Sequence, residues 1–239
     1  MSRRFTGGTL SSGVLYINGG YLSSGTVPVS AFPFTMSCWA FAADVTKFNP
    51  IMAFSDDGNA NDFCILSIDS SLVQLRFGQG GPVAALSTAA TNSTAYYIAL
   101  VCTSSTDKKL YVNGSLIGTA TTSTTFPSAF DKYYIGAEYR AARYTAHDAT
   151  VALPTVWNVG LTAAEILRLA SGVFPLQVRN SAIVAAHGLY RAASPEPGLV
   201  GTNDLTVAGT GSAATGASDP TIIYQPTFNN LGRSVNMGA

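Results

Sequence analysis

The chain has 239 residues, of which 47% are apolar and 11% charged, and its net charge is zero. That length suits one all-β sandwich with decorations, or one sandwich with terminal arms. A neutral, charge-poor surface offers no long-range attraction to nucleic acid or to an anionic membrane, so neither is expected as a partner.

Residues 1–33 read as an N-terminal arm. Val14-Leu15-Tyr16-Ile17 is strand-like, Asn18-Gly19-Gly20 marks a turn, and the rest is rich in Gly, Ser and Pro. Met1-Ser2-Arg3-Arg4 runs into Phe-Thr-Gly-Gly and not into an apolar stretch, so no export signal is expected and synthesis is assigned to a cytoplasm. No run reaches the roughly 18–20 apolar residues that span a bilayer.

From residue 34 the pattern turns to strands. Segments 34–43, 51–54, 63–68 and 72–77 alternate or run apolar, and Ser70-Ser71 turns the chain between the last two. Between 51–54 and 63–68 lies a polar loop, 55–62, that gathers Asp56, Asp57, Asn59, Asn61 and Asp62. The most telling stretch is 108–118. Leu110 and Val112 alternate with Tyr111 and Asn113, and Asn113-Gly114 supplies the two positive-φ residues of a type I′ hairpin turn. With 96–102 before it and 133–136 after it, four consecutive strands are expected to form one antiparallel sheet. Segment 149–157 closes the body, and Pro154 within it belongs at an edge or a bulge.

One helix is expected, over 162–171: Thr162 and Glu165 form a capping box, and Gly172 with Pro175 beyond it supplies the stop. Further strands are expected in 181–190 and 205–210, with a turn at Pro195-Glu196-Pro197-Gly198. The sandwich therefore occupies 34–210, and 211–239 is a C-terminal arm with one short strand candidate at 221–224. The widely spaced Cys38, Cys64 and Cys102 read as buried free thiols, and Trp39 and Trp157 as core.

The order of these pieces resembles the laminin-G-like branch of the concanavalin A-like lectin/glucanase superfamily. The pieces are Phe34-Thr35-Met36-Ser37-Cys38-Trp39, the apolar strand leading into Lys109-Leu110-Tyr111-Val112-Asn113-Gly114, Ile135-Gly136, and Trp157-Asn158 before Leu161-Thr162 and Glu165-Ile166. The resemblance covers about 34–170 and implies an antiparallel jelly-roll sandwich. The stretch around Pro195-Glu196-Pro197-Gly198 and Leu205-Thr206-Val207 also resembles a jelly-roll segment that commonly precedes the body; here it follows, as a strand exchanged between the ends would explain.

Glucanases of the superfamily carry paired carboxylates on one strand, an acid and a nucleophile about 5 Å apart. The only glutamates here are Glu138, Glu165 and Glu196, and Arg140 and Arg143 stand where partner carboxylates would follow Glu138. No Gly-x-Ser-x-Gly elbow is present. No enzyme activity is expected, with glycoside hydrolysis as the class to be tested against. The loop bearing Asp56, Asp57, Asn59 and Asp62 offers hard oxygen ligands of the kind calcium prefers, set against the plainer reading of a self-satisfied Asx turn; no other cofactor is suggested. Tyr139, Arg140, Arg143 and Tyr144 form an aromatic, basic segment of the composition enriched at contact surfaces.

Two functions are carried forward. Resemblance to sandwich domains of phage-encoded proteins, low charge and long arms imply a capsid decoration or other virion surface subunit of a tailed bacteriophage, held to virion proteins through its arms. The alternative is a lectin-like carbohydrate-binding module or receptor binder with a glycan as partner.

Overall fold

The computed structural model describes residues 3–6, 20–78, 83–126, 130–140, 142–146, 148–189, 195, 197–208 and 213–215, with only the backbone described at 3–6, 140, 142–145, 148 and 213–215. The expected strand at 14–17, the turn residue Glu196 and the segment 221–224 lie outside the described residues. The strands are β1 (Arg3–Thr6), β2 (Tyr21–Ser24), β3 (Phe34–Ala42), β4 (Asn49–Asp56), β5 (Asn59–Asp69) and β6 (Leu72–Gly78). There follow β7 (Val83–Ala89), β8 (Thr94–Ser104), β9 (Asp107–Val112), β10 (Ser115–Ala120), β11 (Lys132–Ile135) and β12 (Ala137–Arg140). The last are β13 (Ala142–Thr145), β14 (Asp148–Trp157), β15 (Ile183–His187), β16 (Gly198–Val200), β17 (Thr206–Ala208) and β18 (Ala213–Thr215), with the helix α1 at Ala163–Ala170.

Among the described residues these strands form two antiparallel sheets and a hairpin. A nine-stranded sheet runs β10-β9-β8-β3-β14-β1-β18, with β15 on β14 and β16 on β15. A seven-stranded sheet runs β17-β2-β11-β4-β5-β6-β7, and β12-β13 pair with each other alone. The two sheets face each other across a core of alternating side chains. Phe34, Met36 and Cys38 of β3 meet Phe54, Cys64, Leu66 and Phe77 of the opposite sheet, all without solvent exposure. Cys38, Cys64 and Cys102 are buried free thiols, and burial pushes their pKa values up, which keeps them neutral.

The turns follow their residues. Asn113 (φ 51°) and Gly114 (φ 83°) make the two-residue turn joining β9 to β10, and Ser70 (φ 50°) and Ser71 (φ 63°) make the one joining β5 to β6. The 96–136 unit departs from expectation: β8, β9 and β10 pair in one sheet, but β11 crosses to the other and inserts between β2 and β4. The ladder ends at Ala120, and beyond it Phe126 and Phe130 pack against the core, beside Phe34 and Phe54. Pro154 lies in a central strand, where the register to β3 slips between Ala152 and Thr155. At that bulge β14 exchanges its outer neighbour, β1 on the N-terminal side and β15 on the C-terminal side.

Helix α1 has both arms of the capping box, with Glu165 N donating to Thr162 Oγ1 and Thr162 N donating to Glu165 Oε2. Gly172 (φ 93°) ends it, with Val173 N donating to Arg168 O. Ile166 and Leu169 bury the helix on the outer face of the nine-stranded sheet, against Tyr97, Val101, Tyr111 and Trp157. Trp157 is fully buried, but in this outer layer and not between the sheets. Trp39 is only half-buried on the same face, edge-on to Tyr97 at 5.5 Å, so it is not a core residue as the sequence implied. Its strand places Cys38 inward and therefore Trp39 outward, a parity the apolar neighbours conceal.

The helix also seats on the β9–β10 turn. A Cβ at Gly114 would lie 2.8 Å from Leu167 Cδ1 and 3.3 Å from Ala170 Cβ. Gly114→Ala therefore strains a positive φ and presses on the helix at once. We expect a loss of about 1–3 kcal/mol by urea unfolding. An unchanged midpoint would show that the turn and helix adjust freely.

Candidate functional site

The helix covers one outer face of the sandwich; the outer face of the seven-stranded sheet is where the sequence candidates meet. Alternation along β2, β4, β5 and β11 points Tyr21, Ala53, Phe63, Ile65 and Tyr134 away from the core. The β12–β13 hairpin lies over this patch, burying Ala137, with Tyr139 and Phe48 partly buried at its margin. Tyr139 N donates to Ser55 Oγ at 3.3 Å, which ties the hairpin to β4. Pairing sets Arg143 opposite Tyr139, Tyr144 opposite Glu138 and Ala142 opposite Arg140. The side chains of Arg140, Arg143 and Tyr144 lie outside the described residues. Glu138 is fully buried, and Glu165 is occupied by its cap and by an ion pair to Arg179.

The polar segment 55–62 is not an open loop. β4 and β5 run on through it to a tight turn at Asp57-Gly58, with Asp56 paired to Asn59. Its carboxylates and amides are engaged locally. Asp56 Oδ1 accepts from Gly58 N at 2.7 Å, and Asn59 donates to Asp62 Oδ2 at 3.1 Å. The Tyr134 hydroxyl donates to Asp57 at 2.7 and 2.8 Å to its two oxygens, and Asp57 N donates to Asp131 Oδ1. Among the described residues no three His, Cys, Asp or Glu side chains gather at one point. What the turn does is fix Tyr134, and through β11 and β4 the floor beneath Tyr139. Two segments that look independent in sequence, 55–62 and 139–144, are thus parts of one face.

Beside the hairpin, towards β7, the face is open and polar. Gln74 Nε2 donates to Asp69 Oδ1 at 2.6 Å, and Ser67 Oγ donates to Asp69 Oδ2 at 3.4 Å. Arg76 lies over the Phe63 ring, 5.9 Å from its centroid. Phe63 itself rests on Gly78, where an added Cβ would come within 2.7 Å of the ring. Gln74 and Arg76 are partly exposed while Asp69 and Phe63 are buried, so an accessible amide and guanidinium stand on a fixed base. Sequence reasoning took 72–77 as a strand and stopped there. The signal was present: Val73, Leu75 and Phe77 face the core, which commits Leu72, Gln74 and Arg76 to the outer face. A separate surface concavity of about 270 Å³ is lined by residues 28–33 with Asn158 and Val184, and carries no charged group.

A laminin-G-type family model described as the concanavalin A-like lectin/glucanases superfamily matches residues 17–167, well over half of the chain. No curated protein matches the sequence significantly. Among solved structures, a Bacteroides ovatus protein provisionally described as carbohydrate binding superposes with a TM-score of 0.60 at 17% identity, over 87% of this chain and 59% of its own length. The heptameric SAP-like pentraxin of Limulus polyphemus gives 0.54 at 13% identity, over 89% and 97%. The CBM40 of the Ruminococcus gnavus IT-sialidase gives 0.50 at 14%, over 70% and 97%. At such identities the likeness is one of fold, and this chain spans about three fifths of the Bacteroides protein. The strand order, the hairpin motif and the matched segment agree: this chain belongs to the concanavalin A-like lectin/glucanase superfamily, in its laminin-G-like branch.

Proposed function

We infer that the domain is a non-enzymatic carbohydrate-binding module that reads its glycan on the outer face of the seven-stranded sheet. The observation that carries this reading is the open polar row beside Tyr139: Arg76 held on Phe63, and Gln74 held on Asp69. Sugars present hydroxyls that pair with planar amide, guanidinium and carboxylate groups, and C–H faces that settle on aromatic rings. Tyr139 and Phe48 supply partly exposed rings, and the polar groups are already oriented, which lowers the entropic cost of binding. The description of the Bacteroides ovatus neighbour supports the same class. The decoration-protein reading, with virion proteins as partners, draws no support from these likenesses, and the described parts of its arms, 3–6, 20–33 and 213–215, supply strands β1, β2 and β18 to the two sheets of this same sandwich.

The test is a glycan array followed by calorimetry. Arg76→Ala and Tyr139→Ala are each expected to weaken binding about tenfold, the size of a typical contact residue, with the melting temperature nearly unchanged. Absence of binding to any sugar at about 10 mM, or steady turnover of a polysaccharide, overturns the reading.

A further inference from the structure

His187 ends β15 with its side chain directed between the sheets, 1% exposed. Its ring packs on Tyr133 of the opposite sheet, centroids 5.9 Å apart. Among the described residues neither ring nitrogen has a hydrogen-bond partner of normal geometry, and the buried Tyr133 hydroxyl has none either. Three unpartnered polar atoms at one place in an apolar interior are unusual, and each costs free energy that a well-packed Leu or Phe would not.

The position gives them a use. Opposite His187 in the ladder stands Gly198, the first residue of β16. From there residues 197–208 cross from the nine-stranded sheet to the edge of the seven-stranded sheet, where β17 pairs with β2. This strap closes one flank of the sandwich with few attachments. Two register pairs hold β16 and three hold β17, Thr26 donates to Asn203, and Leu205 plugs into the core, while Gly198 N donating to Asp204 Oδ1 at 3.2 Å is a bond within the strap. Segments so thinly attached open first.

We propose that His187 is a proton-operated pin: charging its ring in mildly acidic solution releases the 197–208 strap and opens this flank while the body of the sandwich stays folded. Charged, the ring would present two N–H donors with only the Pro197 carbonyl near one of them, and the closed interior offers the other no acceptor among the described residues. Among the described residues the groups that face it cannot neutralise it from inside. Tyr133 is kept neutral by burial, as is the Cys38 thiol beyond it; only Asp204, exposed on the strap, and the Pro197 carbonyl favour the cation. Burial outweighs both and lowers the His187 pKa from 6.5 to about 4. The sign follows: between those values the open form binds the proton and the closed form does not, so closure is favoured above pH 6.5 and lost as pH falls. At pH 5 the bias towards opening is roughly 20-fold relative to neutral pH.

The experiment uses the full chain without ligand. The sequence has 2 histidines, so His147→Gln leaves one imidazole to follow by NMR. The His187 ring is expected to titrate well below 6.5. Hydrogen exchange, corrected for intrinsic rates, should show Leu199 and Val207 losing protection between pH 7 and pH 5 while β3 and β8 keep theirs. His187→Gln should abolish that pH dependence; if this variant fails to fold, the wild-type titration and exchange still decide. A ring titrating near 6.5, strap protection that does not change with pH, or a loss shared equally by β3 and β8 overturns the proposal.

Discussion

Trp157→Ala is expected to destabilise the domain by about 3–5 kcal/mol and to lower its melting temperature by roughly 10 °C. The indole is fully buried on the outer face of the nine-stranded sheet, among Leu161, Ile166, Leu169, Val178 and Ile183. Its Nε1 donates to Val178 O at 2.9 Å, so truncation removes a large apolar body and orphans a buried carbonyl together. The helix suffers most. At Ala163–Ala170 it is two turns long, too short to persist in water unaided, and it depends on this layer. Trp157→Phe keeps most of the area and loses the donor, and should cost about 1–2 kcal/mol. Urea unfolding followed by far- and near-ultraviolet circular dichroism separates the two variants. A loss below about 1 kcal/mol for Trp157→Ala would mean that the layer around the helix collapses onto the gap.

Lys108→Glu is expected to cost about 4 kcal/mol at neutral pH, whereas Lys108→Met should change stability by less than about 1.5 kcal/mol. Lys108 points inward from β9 in line with Leu110 and is fully buried as a residue. Its ammonium donates to the Ser105 and Thr122 carbonyls and lies 5.5 and 5.2 Å from the centroids of Phe32 and Phe77. Burial draws its pKa down, partly offset by the Asp107 carboxylate. A carboxylate here would face carbonyl oxygens and the negative faces of two rings. It would remain neutral to a higher pH than an ordinary glutamate, so the variant should recover stability as pH falls. Methionine keeps the stem and removes the charge, and leaves two carbonyls without a donor. Denaturant titrations at pH 5 and pH 7.5 test both variants. Equal stability for Glu and Lys would mean that the ammonium is effectively in water.

The proposed contact surface was half legible. Tyr139 to Tyr144 stood out by composition, and the carboxylates of 55–62 by density, yet nothing local said that they share a face. Tyr139 N reaching Ser55 joins positions 84 apart in sequence. Asp69, Gln74 and Arg76 look ordinary one by one; they become a row only when β5 and β6 pair and their parity is fixed against the core. Trp39 was misplaced for the same reason, since an apolar run gives no parity until a partner sheet buries one side. His187 carries no mark in sequence at all, because its isolation comes from Tyr133 and the strap around it.

The sequence by itself determined the elements whose causes are local. Asn113-Gly114 dictates a hairpin turn through its tolerance of positive φ, and Thr162 with Glu165 starts the helix by satisfying its own first amides, whereas Ser70-Ser71 marks a turn whose positive φ the β5–β6 ladder imposes. The order of those pieces was enough for the superfamily. Only the tertiary structure decided that β11 leaves its neighbours for the opposite sheet, that β14 changes partners at Pro154, and that a hairpin folds over the seven-stranded face. The physical reason is that a strand satisfies half of its backbone groups and buries one of its faces against residues far away in the chain, so its place is set by the partner and not by its own side chains.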